Sequence, residues 1–354
     1  MFREDFVRSN LQTSSYNNIL WGVVLAGGEG KRLKNLVKRL YGYTRPKQYC
    51  TLTGSYSLIK QTISRASKII SNKNILTVVN RHHFKYYKIE LRNRPVDTIV
   101  VQPCPRGTSA GILLPVAKIY KTDPDSIVAI FPSGHFILEE NKFISYIKEA
   151  SIFVERHPDL IVLAGIKPDR IETGLGWIEC GYKIDLFNDL NFRQIRNFYE
   201  KPDAASTSSL FANGCLINTS IVIGKSRTII EQMKKHLPYL FETFDLIYES
   251  LGTKHEKDII KEYFKLIPEV NFSKFFLEKV VDQLAVLEIP DIYWSDWGEE
   301  QRIMYDLKKF HLSYPHKIIP QKGTTERLHA DNRTKIMRKS AVNYFKSDNS
   351  KRLT

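Results

Sequence analysis

Three glycines, Gly27, Gly28 and Gly30, follow directly on an apolar run from Ile19 to Ala26, and basic residues crowd in behind them. Residues 31–47 hold seven Lys or Arg and no Asp or Glu. An apolar run of this length, bounded by glycine, reads as a buried strand. Glycines at its end let the backbone turn sharply and approach a ligand, because no Cβ stands in the way. Backbone N–H groups exposed in such a turn form an anion-binding concavity. The chemistry this suits is the binding of a polyphosphate. Two familiar glycine motifs do not fit: a P-loop needs Ser or Thr where Arg32 follows Gly30-Lys31, and a dinucleotide-binding turn needs glycine where Leu33 stands.

The other residue types offer less. Cys50, Cys104, Cys180 and Cys215 are scattered without a C-x-x-C pair, and the nine histidines add no H-x₃-H spacing beside one. That argues against a zinc site and for reduced, packed thiols.

The elements that must position the glycine turn follow from periodicity. Residues 57–70 place Leu58, Ile59, Ile63, Ala66, Ile69 and Ile70 at helical spacing. Strands are predicted at 74–80, 98–102, 126–131 and 160–165, with helices at 81–92, 108–120 and 141–156. This alternation predicts an α/β fold: a Rossmann-like, mainly parallel sheet with helices on both faces. Ligands then belong at the strand C-termini, where Gly27, Gln102 and Pro132 fall. Beyond Gly176 the pattern shifts to short, mixed β elements at 176–181, 191–199 and 218–223. A small helix at 202–212 and a largely helical stretch at 225–280, broken at Pro238 and Pro268, accompany them. The last strands are predicted at 285–289 and 292–294.

Seen together, the opening Leu25-Ala-Gly-Gly-Glu-Gly-Lys-Arg-Leu33 and Arg45-Pro-Lys-Gln48 resemble the signature of the sugar-1-phosphate nucleotidyltransferases, most of all the mannose-1-phosphate guanylyltransferase branch. Further motifs follow in order: Gln102-Pro103 with Arg106–Gly111, Phe131-Pro-Ser-Gly-His-Phe136, Glu172–Trp177, Glu200-Lys-Pro202, Gly214–Asn218 and Trp294-Ser-Asp-Trp-Gly298. The resemblance runs from about Trp21 to Asp306. It implies transfer of a nucleotidyl group from a nucleoside triphosphate, GTP favoured, to a sugar 1-phosphate, mannose 1-phosphate favoured. The sugar phosphate attacks the α-phosphorus in line and pyrophosphate leaves. Its nucleophile is already an anion, so catalysis rests on positioning and charge neutralisation.

The same resemblance implies roles. The backbone from Leu25 and Ala26 through Gly27, Gly28 and Gly30, with Arg32, would hold the triphosphate, and Lys47 would reach the α-phosphate. Gln102, Gly107 and Thr108 would face the base. Glu172, Gly174, Glu200, Lys201 and Asn218 would surround the sugar phosphate. Asp296 would bind Mg²⁺, making Arg32, Lys47 and Asp296 the catalytic set. The family places a second metal-binding Asp where this chain has Gly134. Magnesium is often held by one or two carboxylates completed by substrate phosphates and water, so Asp296 with the phosphates is the expected site. His135 is expected as a hydrogen-bonding residue, since imidazole is a poor partner for Mg²⁺. Glu139 and Glu140, at the following helix start, do not replace the missing carboxylate.

Composition bounds the rest. A hydrophobic content of 42% is that of a folded protein, and no apolar stretch approaches the roughly 18 residues of a membrane span. Residues 1–18 lack a secretory apolar core. The reading is a soluble, cytoplasmic protein with an N-terminal extension at 1–18, a nucleotidyltransferase domain at 19–312 and a basic, extended or mobile tail at 313–354. The net charge of +15 suits anionic substrates; nucleic acid is an unlikely partner, because no nucleic-acid-binding motif accompanies the charge. Homo-oligomerisation is left open. The alternative favoured by Gly134 is a catalytically impaired homologue that binds nucleotide or nucleotide sugar as a regulator. A nucleic-acid or membrane-surface binder using residues 301–354 ranks third.

Overall fold

The structure is a computed structural model, described for residues 20–187 and 190–315. Eleven strands are present among these residues: β1 Leu20–Leu25, β2 Ile75–Asn80, β3 Ile99–Gln102, β4 Ile127–Pro132, β5 His135–Ile137, β6 Ile161–Ile166, β7 Gly176–Phe187, β8 Leu190–Glu200, β9 Leu216–Lys225, β10 Leu284–Glu288 and β11 Trp294–Asp296. Nine form one sheet in the order β3-β2-β1-β4-β9-β6-β10-β8-β7, while β5 and β11 make a separate ribbon. The pairs β3–β2, β2–β1, β1–β4 and β6–β10 are parallel. β9 runs antiparallel to both β4 and β6.

Successive strand residues face opposite sides, and the core divides accordingly. Val23, Val128 and Ile130 face one cluster with the helices Gly107–Thr122, Ser226–His236 and Pro238–Ser250. Val24, Ile127, Ala129 and Phe131 face the other, with the helices Leu58–Ala66 and Glu140–Arg156. Both faces are covered, which is why the central strands read as continuous apolar runs. Because β1 has β2 on one side and β4 on the other, their shared C-terminal edge is a topological switch point.

Several elements differ from the sequence expectation. The basic segment after the glycines is not merely a loop: a 3₁₀ turn at Lys31–Leu33 leads into a helix, Lys34–Tyr41. Leu33, Leu36, Val37 and Leu40 supply its buried stripe, and Gly42 ends it in the left-handed region with its N–H on Lys38 O at 2.9 Å. The strand β5 and the helix Glu300–Lys309 are likewise additional, and the strand predicted at 292–294 is found two residues further on as β11, paired with β5. Together these pack a third cluster containing Phe136, Trp297, Ile303 and Leu307. β7 runs on to Phe187 beyond the strand predicted at 176–181, and β8 matches the strand predicted at 191–199; both belong to the main sheet. The predicted extension at 1–18 and all but residues 313–315 of the predicted tail lie outside the described residues.

Candidate active site

β1 delivers the chain to the switch point, and neighbouring side chains fix the turn that follows. Gln48, 2% exposed, donates its amide to Ala26 O at 2.7 Å and Gly28 O at 2.8 Å. Asn80, at the end of β2, donates to Gly27 O. With three carbonyls turned inward onto these amides, Gly28 and Glu29 remain exposed. Gly30 has φ +64°, and a Cβ on it would lie 2.9 Å from Lys47 N, so only glycine fits there comfortably.

Lys47 reaches across to the ribbon. Its Nζ donates to Asp296 Oδ1 and to Trp297 O, each at 3.2 Å. The ribbon sets this meeting: Asp296 pairs with His135 across β5–β11, and Trp297 N donates to Gly134 O at 3.0 Å. Trp297 stacks on Phe136 at 4.7 Å and donates its indole N–H to Asp306 Oδ2 at 2.8 Å. Asp306, fully buried, also accepts from Tyr293 OH at 2.7 Å. Gly134 explains the position of Lys47, since a Cβ there would collide with the ammonium and lie 2.5 Å from Cε. The amine fills the space a side chain at residue 134 would need.

Arg32 stands beside this pair. Its guanidinium holds Glu299 at 2.7 Å, with both side chains more than half exposed, and its Nη2 lies 2.7 Å from where a Cβ on Gly298 would sit. Such an exposed pair contributes little stability. Burial pushes the Asp296 carboxyl up, but the Lys47 ammonium, helped by Arg32, outweighs it and holds the group below its ordinary value. His135 is buried and neutral, pushed down to about 3 by burial with the help of Lys47 and Arg65 against Asp296. It meets Trp294 edge to face at 5.0 Å, and its Nδ1 has no partner among the described residues. Glu139 and Glu140 are engaged elsewhere: Glu139 accepts from Tyr293 N at 2.7 Å, and Glu140 pairs with Arg65 at 2.9 Å.

Gln102 ends β3 with its Oε1 3.1 Å from the place of a Cβ on Gly27 and its buried Nε2 unpartnered. Gly107, at φ +72°, packs so closely on Val270 that a Cβ would lie 2.8 Å from Val270 N. Thr108 Oγ1 accepts from Phe272 N at 2.7 Å, so its hydroxyl oxygen anchors residues 270–272.

A second group forms at the start of β7. Glu200 and Asn218 converge on Gly176, whose absent Cβ would lie 3.2 Å from Glu200 Oε2 and 3.4 Å from Asn218 Cβ. Asn218 Nδ2 is buried and unpartnered. Lys201, with φ +50°, brings its Nζ to 3.7 Å from Glu200 Oε1. Burial pushes the Glu200 carboxyl up in spite of Lys201. Gly174 borders open space. Glu172 is placed differently from a free hydroxyl acceptor: Arg170 Nε donates to it at 2.6 Å, and Arg302 also pairs with it. Arg302 in turn donates to Ser295 Oγ at 2.8 Å, which ties Glu172 to the strand bearing Asp296. A cavity of about 610 Å³ lies elsewhere, between β7, β8 and the helix Ala204–Ala212.

Sequence reasoning missed Asn80, Arg302 and Asp306 as organisers of this region. Asn80 was findable as the C-terminal residue of a predicted strand. Arg302 and Asp306 sit on an unpredicted helix and carry no local signal.

The glycine turn thus stands pinned at the switch point of an α/β sheet, with Lys47 and Arg32 beside it. The nucleotidyl transferase family pattern matches residues 21–311, and the chain belongs to that family. It is 28% identical over 292 residues to mannose-1-phosphate guanylyltransferase 2 of Escherichia coli O157:H7, covering 79% of this chain and 58% of that protein. The alginate biosynthesis protein AlgA of Pseudomonas aeruginosa is 27% identical over 281 residues, covering 78% and 56%. The chain thus spans a little over half the length of these relatives. A crystal structure from Thermus thermophilus, described as a mannose-1-phosphate geranyltransferase, shares the fold with a TM-score of 0.66 and 21% identity, covering 79% of this chain and 76% of that one.

Proposed function

We propose that this protein transfers a nucleotidyl group from a nucleoside triphosphate, GTP favoured, to a sugar 1-phosphate, mannose 1-phosphate favoured, releasing pyrophosphate. The observation that carries this reading is the meeting of Lys47 and Asp296 at 3.2 Å beside a glycine turn whose carbonyls are tied back by Gln48 and Asn80. The guanine and mannose preferences draw on the names of relatives at 27–28% identity.

On this reading the N–H groups around Gly28 and Gly30 and the Arg32 guanidinium receive the departing pyrophosphate. Lys47, already positioned by Asp296 and Trp297 O, swings its ammonium onto the α-phosphate, where charge builds in the transition state. Glu200 and Asn218 bind sugar hydroxyls, with the buried Asn218 Nδ2 as a waiting donor and Lys201 near the sugar phosphate. The donor set fits magnesium in one form only: Asp296 is a single carboxylate, and substrate phosphates must complete the coordination. Magnesium held there would supply Lewis-acid neutralisation of the phosphates.

The test is pyrophosphate release from the purified protein with Mg²⁺, each nucleoside triphosphate and a panel of sugar 1-phosphates. Release that requires both substrates, fastest with GTP and mannose 1-phosphate, is expected. Nucleotide binding without release for any pair would contradict the reading.

A further inference from the structure

The exposed tip of the glycine turn carries a carboxylate that the reaction outlined above does not use. Glu29 Oε1 lies 2.7 Å from His82 Nε2 and 3.6 Å from His83 Nε2. The three ligand atoms all fall within 4.8 Å of one another. We propose that Glu29, His82 and His83 form a site for a divalent transition-metal ion of the zinc class, which staples the glycine turn to the end of β2.

The donor set selects the ion. Two imidazoles and one carboxylate suit zinc and its neighbours, whereas magnesium demands oxygen. Zn–N and Zn–O bonds near 2.0–2.1 Å place tetrahedral ligand atoms roughly 3.3 Å apart, so small side-chain rotations suffice. His83 is the fixed member: its side chain is 3% exposed and meets the Tyr49 ring edge to face at 5.6 Å. Its Nε2 is turned toward Glu29 and is the ring atom that would bind the ion. Glu29 and His82 are exposed, so the fourth coordination position opens to solvent. Without an ion, the Glu29–His82 contact is a surface pair of little strength. With one, Glu29 is held at the one part of the turn that Gln48 and Asn80 leave free. The sequence pointed away from zinc because it holds no C-x-x-C pair and no H-x₃-H spacing beside one; Glu29 joins the two histidines only through the pairing of β1 with β2.

The proposal is tested on the full chain, freed of metal by a chelator, by calorimetric titration with Zn²⁺ and by the visible spectrum with Co²⁺. No nucleotide is present, so the result is independent of the reading of enzymatic activity. One saturable equivalent, an intense tetrahedral Co²⁺ spectrum and slower amide exchange across residues 27–31 on Zn²⁺ addition are expected. Glu29→Gln and His82→Asn, both at exposed positions, should each weaken binding by at least about tenfold while melting like the parent in metal-free buffer. No saturable equivalent, or equal binding by parent and both variants, overturns the proposal.

Discussion

Lys47 carries the largest share of the account among single residues. It is the cation poised nearest Asp296, yet its side chain is only partly buried, so a substitution should act on chemistry and spare the fold. Lys47→Gln is expected to lower kcat by about 10²–10³-fold, the cost of losing one positioned charge at a developing anion, with unchanged thermal unfolding. Steady-state pyrophosphate release and a melting curve read the two halves. Gly134 is the complementary case. An aspartate there must displace the Lys47 ammonium, but that is the free end of a flexible chain and can move. Gly134→Asp is expected to raise Mg²⁺ affinity in a calorimetric titration, since it adds a second carboxylate; unchanged affinity would mean that the space at residue 134 is not part of a metal site. At this scale the sequence spoke through motifs. Lys47, Asp296 and the glycines were legible because each sits in a dense local pattern. The engagement of Glu172 by Arg302 was not, because partners 130 residues apart in the chain leave no local trace.

Among the elements, the turn between β1 and the helix Lys34–Tyr41 depends on one buried amide. Gln48→Ala removes two hydrogen bonds and leaves Ala26 O and Gly28 O without those donors. A loss of about 1–3 kcal/mol in urea unfolding is expected, together with a raised KM for the nucleoside triphosphate as the turn loosens. The strands were largely legible, since a continuous apolar run such as 126–131 has few alternatives once helices alternate with it. The helix Lys34–Tyr41 was obscured by its own charge: Lys34, Lys38 and Arg39 dominate the segment, while three apolar residues carry the burial. The strand β5 and its pairing with β11 were illegible for another reason. Three-residue strands have no periodicity to detect, and their pairing joins residues 135–137 to 294–296.

For the whole molecule, the buried histidines set a pH dependence. Burial first, then Lys47 and Arg65, pushes His135 down to about 3. Burial first, then His82, pushes His83 down to about 4. Both folded values lie below the ordinary 6.5, so the unfolded chain binds more protons as the medium acidifies. Their contribution is therefore fully present above about pH 6.5 and is lost as pH falls toward 4. Urea unfolding in metal-free buffer is expected to show stability falling over that window, by up to about 1.4 kcal/mol per pH unit for each histidine. His135→Gln should flatten the slope. The doubly covered, mainly parallel sheet was readable from alternation alone, whereas the third cluster under the site was not, because it gathers segments from both ends of the described chain.

The central claim is that the glycine turn and the Lys47–Asp296 pair form one triphosphate site, and a crystal structure with a bound nucleoside triphosphate tests it most directly. The account predicts phosphates against the N–H groups of Gly28 and Gly30, with Lys47 Nζ turned from Asp296 onto a phosphate oxygen. A triphosphate seated elsewhere, with Lys47 still held by Asp296 and Trp297 O, would contradict it.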